Sequence, residues 1–175
     1  MIEKKRGQFS HCSIRSDGAS LFNSESATLF CATMRELTPS SFLVCRPTWV
    51  VAEHCSTFVA QCGDPATAPI ERQFSLQGFS QTFDPQNSTS DTFLRDLEAF
   101  RNPGGSNVHI LIASPAEVTA RQFADQVIYY GDNYRGPPYQ ILGPNSNSAA
   151  AYPIYQSGGS VPDRIRAPGL NYFAP

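Results

Sequence analysis

The stretch from about residue 90 to residue 131 constrains the fold most, because it places a short apolar run between two helical patterns. Ser90 is a suitable N-cap for the first helix, over about 90–101, and Asp91 complements the helix dipole in its first turn. Four apolar residues then recur at helical spacing on one face: Phe93, Leu94, Leu97 and Phe100. The continuous apolar run Val108–Ile112 is typical of a buried strand. This succession predicts a domain that mixes helices with a sheet.

The second helix of this stretch has its own start signals. Ser114 is a suitable N-cap, Pro115 suits the first helical position, and Glu117 completes a capping box with Ser114. The pattern ends near Gly131. We therefore expect this helix to begin directly after Ser114.

Strands are expected over 8–15, within the apolar stretch 41–60, and over 72–83, where Gly78 suggests a bulge. Pro47 interrupts the stretch 41–60 and favours an edge strand, a bend or a short helix after it. Together these elements predict an α+β fold, with an antiparallel sheet of four to six strands and helices packed on one side.

The length of 175 residues suits a single domain over 1–175. Residues 1–7 resemble a flexible, solvated lead-in, and residues 160–175 resemble a proline-rich tail on the surface. The net charge is −2, from 13 basic and 15 acidic side chains, which argues against a strong non-specific nucleic-acid binder. No apolar run is long enough to span a membrane, and no apolar segment of a signal peptide follows Lys4 and Lys5.

Five cysteines leave at least one thiol unpaired within the chain, and four of them fall between residues 31 and 62. His54 together with Cys45, Cys55 and Cys62 could be interpreted as a set of metal ligands, but the spacing matches no compact zinc knuckle. The alternatives are buried thiols or one or two disulfides in an oxidising compartment. We expect no metal and no cofactor.

The best local signal for chemistry is the run Gly143-Pro144-Asn145-Ser146-Asn147-Ser148, which opens a third helix with Asn145 as its cap. Ser146 would lie among free backbone N–H groups at the positive end of the helix dipole, and these donors can stabilise an oxyanion. Pro153 should kink or shorten this helix, and Gly158-Gly159 should end it. A serine hydroxyl also needs a base, and His11, on the predicted strand 8–15, could supply it.

The order of these motifs resembles a permuted papain-like hydrolase domain. A Phe-x-His-Cys-x-Ile strand over 9–14 is followed, late in the chain, by Tyr-x-x-Leu-Gly-Pro-Asn-Ser-Asn-Ser over 139–148 and a Gly-Gly turn. The order is similar to that of permuted relatives of NlpC-type cell-wall peptidases and of lecithin:retinol acyltransferase-like proteins, including domains of bacterial toxins and secreted effectors. The middle of the chain, about 16–105, matches only in the order of its elements.

The resemblance implies a hydrolase in which Ser146 stands where the family has a cysteine nucleophile and His11 is the base. Asn145 and Asn147 would support the oxyanion, and the third, orienting residue is left open among Asn23, Glu25 and Gln81. The implied substrate is a peptide or peptidoglycan amide, with a lipid ester next. The implied protein is a bacterial monomer, secreted or held in the cytoplasm until a dedicated route delivers it, with an immunity or delivery protein as partner. The alternative is an inactive binding or effector module on the same fold.

His54 and His109 are rival bases to His11. His109 lies within the apolar run 108–112, which favours a core or sheet-face position. A pair made of His54 and Cys55 is disfavoured, because neighbours in a strand point to opposite faces.

Overall fold

A computed structural model describes residues 38–46, 54–77, 80–83, 90–103, 106–141, 143–163, 165 and 167–175. The lead-in 1–7, the strand predicted over 8–15 and the candidate base His11 lie outside these residues. The described part of the chain is an α+β structure with one four-stranded sheet and three helices. It confirms the expected fold class.

The sheet is antiparallel throughout, with its strands in the order β3-β2-β1-β4. Its members are β1 (Pro39–Arg46), β2 (His54–Gln61), β3 (Ile70–Phe74) and β4 (Val108–Ile112). β1 ends at Arg46 and is a central strand of the sheet, whereas Pro47 lies outside the described residues. The predicted strand over 72–83 is in fact the shorter β3, and the irregularity in its ladder leaves Glu71 of β3 unpaired between the pairs Val59–Arg72 and Ala60–Ile70.

Two of the three helices begin where the sequence predicts. α1 (Asp91–Arg101) is capped by Ser90, which accepts the Phe93 N–H at 3.2 Å. α3 (Ser146–Gln156) is capped by Asn145 and continues through Pro153, so the proline does not end it. It ends in a Schellman-type turn in which Gly158, at a φ of 79°, donates to the Tyr155 carbonyl and Gly159 donates to the Ile154 carbonyl.

The predicted start of α2 at Ser114 is wrong. α2 spans Ala120–Asp132, its N-cap is Thr119, and its capping box closes on Gln122. The segment before it forms a turn that leaves Glu117 in the left-handed region, at a φ of 68°, which interrupts any helix from Ser114. Two capping boxes compete within nine residues, and the later one opens the helix.

Helices pack on both faces of the sheet, so the expectation of helices on one side is wrong. One face carries α2 and α3, which bury Phe123, Val127 and Ile154 against alternate strand residues such as Leu43 and Val59. The opposite face carries α1. The side chains buried there are Phe42, Val44, Phe58, Ala60, Ala99 and Phe100. Both faces of the central strands are therefore covered, as their continuous apolar runs require.

The segment 160–175 is not a surface tail. Its apolar side chains Val161, Ile165, Ala167 and Leu170 are buried in the same core as α2 and α3, with Leu170 only 1% exposed. Irregular backbone without periodicity can still supply core side chains, and the prolines obscured this in the sequence.

Cys45 and Cys55 lie opposite each other on β1 and β2 and form a disulfide. Cys62 is disulfide-bonded as well. All three cysteines of the alternative metal set are therefore engaged in disulfides. Within the described ranges, no group of three or more histidine, cysteine or acidic side chains could hold a metal ion. In the same ranges, no helix has the length and apolarity to cross a membrane.

Candidate active site

Ser146 is the first residue of α3, and the cap that precedes it sets its surroundings. The Asn145 Oδ1 atom accepts the N–H groups of Asn147 at 2.9 Å and of Ser148 at 3.2 Å. The Ser148 hydroxyl accepts the Asn145 N–H in return, at 3.2 Å. This closed capping box buries Asn145, Asn147 and Ser148, whereas Ser146 stays partly exposed. The four-residue polar run therefore directs a single hydroxyl toward the site.

The imidazole of His54 lies between Ser146 and a carboxylate. His54 is the first residue of β2, and its Nδ1 atom lies 3.0 Å from the Ser146 Oγ atom. Its Nε2 atom lies 2.9 Å from the Oδ2 atom of Asp96, which belongs to α1. Helices from opposite faces of the sheet thus meet at one histidine ring, at the end of the sheet where β2 begins.

Asp96 is 2% exposed and is held by three partners. Besides His54, it accepts the Arg46 Nε–H at 2.6 Å and the Ser56 hydroxyl. Arg46 lies opposite His54 in the register of β1 and β2, so both side chains project from the sheet toward α1. The site is therefore assembled on rigid elements.

Burial of Asp96 by itself raises the pKa of its carboxyl. The hydrogen bond and charge of His54, the hydrogen bond of Ser56 and the charge of Arg46 outweigh burial, and the pKa of Asp96 lies below its ordinary value of 3.8. Asp96 is therefore a carboxylate at neutral pH. The Ser56 hydroxyl also accepts from Ser75 at 3.1 Å, and Ser75 accepts from the Gln73 amide at 2.8 Å, which extends the network behind the carboxylate.

The ionised Asp96 decides which nitrogen of His54 carries the proton. A carboxylate can only accept hydrogen bonds, so the Nε2 atom facing it must be the donor. The Nδ1 atom then has a free lone pair and accepts the Ser146 hydroxyl. A hydroxyl, an imidazole and a carboxylate thus stand in the same order as the nucleophile, base and orienting group of acyl-transfer sites.

The Asn145 cap reduces the number of backbone N–H groups that are available for the expected oxyanion site. The N–H groups of Asn147 and Ser148 are occupied by Asn145, so the Ser146 N–H is the first-turn donor left to face a reacting carbonyl. The Asn145 side-chain amide donates to the carbonyls of Ile141 and Pro168, at 3.0 and 2.9 Å, and that of Asn147 also donates to Pro168, at 3.0 Å. Both asparagines brace the first turn of α3 through these contacts.

The structure describes only one of the three residues that the sequence suggested for the third, orienting position. Asn23 and Glu25 lie outside the described residues, as His11 does. Gln81 is described and accepts the Gly136 N–H through its backbone carbonyl at 2.7 Å. Asp96 occupies the position beside His54, and sequence reasoning did not propose it.

A signal for Asp96 was present in α1. The predicted apolar face contained Leu94, yet Leu94 is 49% exposed, and the buried positions are Asp96, Ala99 and Phe100. Asp96 stands three residues after Phe93 and four before Phe100, so a charge falls within the buried stripe. An aspartate at such a position needs partners, and that requirement could have identified it.

Comparisons with known proteins do not help to interpret this geometry. No protein-family model, curated protein or solved structure matches the chain significantly.

Proposed function

We propose that this protein is a serine hydrolase of amide or ester bonds, with Ser146 as nucleophile, His54 as general base and Asp96 as the carboxylate that orients the base. The observation that carries the proposal is the continuous hydrogen-bonded path from the Ser146 hydroxyl through His54 to Asp96. In this proposal His54 takes the role that the sequence had suggested for His11.

In the acylation step, the Ser146 Oγ atom attacks the substrate carbonyl carbon while its proton moves to His54 Nδ1. The resulting imidazolium is stabilised by Asp96, and the oxyanion faces the Ser146 N–H at the positive end of α3. When the intermediate collapses, His54 gives the proton to the leaving amine or alcohol, and an ester to Ser146 remains. Water, deprotonated by His54, then hydrolyses this ester and restores the hydroxyl.

The substrate class rests on the resemblance of the motif order to permuted papain-like domains. It favours a peptide or peptidoglycan amide, with a lipid ester as the next choice. Cys45 and Cys55 form a disulfide, and Cys62 is disulfide-bonded as well. Disulfides persist outside a reducing cytoplasm, which supports activity there, as expected for a secreted effector or toxin.

The test is covalent labelling with a fluorophosphonate. The Ser146 oxygen would form a bond to phosphorus, fluoride would leave, and intact-mass analysis would show one adduct per chain, on the peptide that contains Ser146. The variant S146A should not be labelled. The matched control S160A changes an exposed serine after α3 and should be labelled at the wild-type rate.

Absence of labelling in folded wild-type protein would contradict the proposal and favour the inactive binding module. If labelling succeeds, peptidoglycan fragments, peptides and lipid esters are compared as substrates, and turnover of one class identifies the bond that is cleaved.

A further inference from the structure

The first turn of α3 is tied to β2 through the side chain of Asn147. Its Oδ1 atom accepts the backbone N–H of Cys55 at 2.8 Å, and its Nδ2 atom donates to the Pro168 carbonyl at 3.0 Å. Asn147 is 3% exposed, and its bond to Cys55 is buried, whereas its bond to Pro168 is partly buried. One amide group thus joins three chain segments that are distant in sequence.

The Cys55 N–H has no strand partner of its own. β1 pairs with β2 along its whole length, but the ladder between β2 and β3 ends at the pair Thr57 and Phe74. On that side, the start of β2 extends beyond β3, and Asn147 Oδ1 takes the place of the missing strand. A buried backbone donor left without an acceptor costs about 1–3 kcal/mol, so the bond is strongly favoured.

The bond between Asn147 and Cys55 lies next to the proposed reacting groups. Cys55 directly follows His54, and Asn147 directly follows Ser146, so the bond joins the neighbours of the base and the nucleophile across 92 residues of sequence. We propose that Asn147 is a positioning residue that holds the Ser146 hydroxyl within hydrogen-bond distance of His54 by fixing the first turn of α3 to the β2 backbone. This inference rests on the proposed function.

A second link between β2 and α3 provides the control. The Thr57 hydroxyl donates to the Ala150 carbonyl at 2.6 Å, one turn farther along α3 and also buried. The variant T57V removes this link and keeps the shape of the side chain. If general attachment of α3 were all that matters, T57V and N147A would have the same effect on reactivity.

The experiment measures the limiting rate and the apparent affinity of fluorophosphonate labelling in wild type, N147A, N147D and T57V, beside their melting temperatures. A misplacement of about 1 Å costs on the order of 100-fold in rate, so N147A should lower the limiting rate about 10- to 100-fold with little change in apparent affinity. T57V should lower the melting temperature but stay within about 3-fold of the wild-type rate. N147D keeps an oxygen that can accept the Cys55 N–H, but it loses the donor to Pro168 and buries a charge, so it should be labelled more slowly than wild type.

A readout that does not depend on reactivity accompanies these rates. Hydrogen exchange at the Cys55 amide should be faster in N147A than in T57V, since only N147A removes its acceptor. If N147A does not fold, N147S replaces it, because a serine hydroxyl keeps a polar group there but is too short to reach β2.

The outcomes separate the two claims. Labelling of wild type with equal rates for N147A and T57V would overturn the positioning role and leave the hydrolase proposal intact. Failure to label folded wild type would overturn the hydrolase proposal, and the positioning role with it.

Discussion

His54 and His109 invite comparison, because both project from the same face of the sheet and both reach α1. His54 bonds to the Asp96 carboxylate, whereas the His109 Nε2 atom bonds to the Ala99 carbonyl at 2.8 Å, about one turn later in the helix. His109 also stacks against Phe100 at 6.2 Å between ring centroids. The two histidines share a helix but differ in what faces each nitrogen.

This difference separates the histidine of the proposed site from a histidine whose contacts are structural. Burial lowers the pKa of His109, and its bond to the Ala99 carbonyl offsets this only in part, so the partly buried ring is neutral at neutral pH. His54 has a carboxylate at one nitrogen and a hydroxyl at the other, which is the arrangement that a proton-transfer role needs. The proposed role of His54 therefore rests on its having both Asp96 and Ser146 as partners, and not on its burial or its position in the strand.

Substituting each histidine tests this comparison most directly, and the loss of His54 should have the largest effect on the labelling rate. H54Q removes the base and should slow labelling of Ser146 on the order of 10⁴-fold or more. H109Q should be labelled at close to the wild-type rate, because its ring does not touch the nucleophile. Parallel rate measurements check both, and an equal loss in the two variants would contradict the role assigned to His54.

Removing the charge of the carboxylate should have the next largest effect. D96N presents an amide to His54 and no longer enforces the tautomer with the Nε2–H, so the labelling rate should fall about 10²- to 10⁴-fold. S56A removes only one hydrogen bond to Asp96 and should reduce the rate by less than about 10-fold. A D96N rate equal to that of wild type would show that Asp96 does not orient the base.

Acid should expose the contribution of Asp96 to stability. Its pKa is lower in the folded state than its ordinary value of 3.8, so the native form binds fewer protons and gains stability above that pH. This stabilisation is lost as the pH falls below 3.8 through the folded value. The difference in melting temperature between wild type and D96N should therefore shrink between pH 5 and pH 2. A constant difference over this range would contradict the lowered pKa.

Substituting His109 should have the smallest effect on stability, and this effect should appear at a higher pH than that of Asp96. Its pKa is lower in the folded state than its ordinary value of 6.5, so the unfolded chain binds more protons just below that pH. Stability should therefore fall as the pH drops below 6.5 and level off below the folded pKa. Thermal unfolding of H109Q should lack this component, and an unchanged pH dependence would indicate that the ring stays accessible to water.

Local signals predicted the elements better than their packing. Ser90 and Asn145 mark α1 and α3 because a cap is chemistry within one turn of the chain. The pairing of strands, the placement of α1 on the second face and the burial of Leu170 depend on contacts between distant segments. The predicted start of α2 was wrong for a related reason. Ser114 and Thr119 can each form a capping box within one turn, and the fold selects Thr119.

The candidate site shows the same limit. The helix-entry position of Ser146 was predicted, and its assignment as the nucleophile remains a prediction. The discounted pairing of His54 with Cys55 was correctly argued, since Cys55 faces the other side and bonds Cys45. That argument left open a partner from another segment, and both of the partners found, Ser146 and Asp96, lie 42 or more residues away. Only tertiary structure could bring them together.

The two hydrogen bonds to the Pro168 carbonyl have a consequence for biosynthesis. Because Asn145 and Asn147 both donate to that carbonyl, a chain leaving the ribosome can pair β1 with β2 and place Asp96 beside His54 before these two contacts of α3 can form. The proposed site would therefore gain these two contacts only after synthesis has passed Pro168.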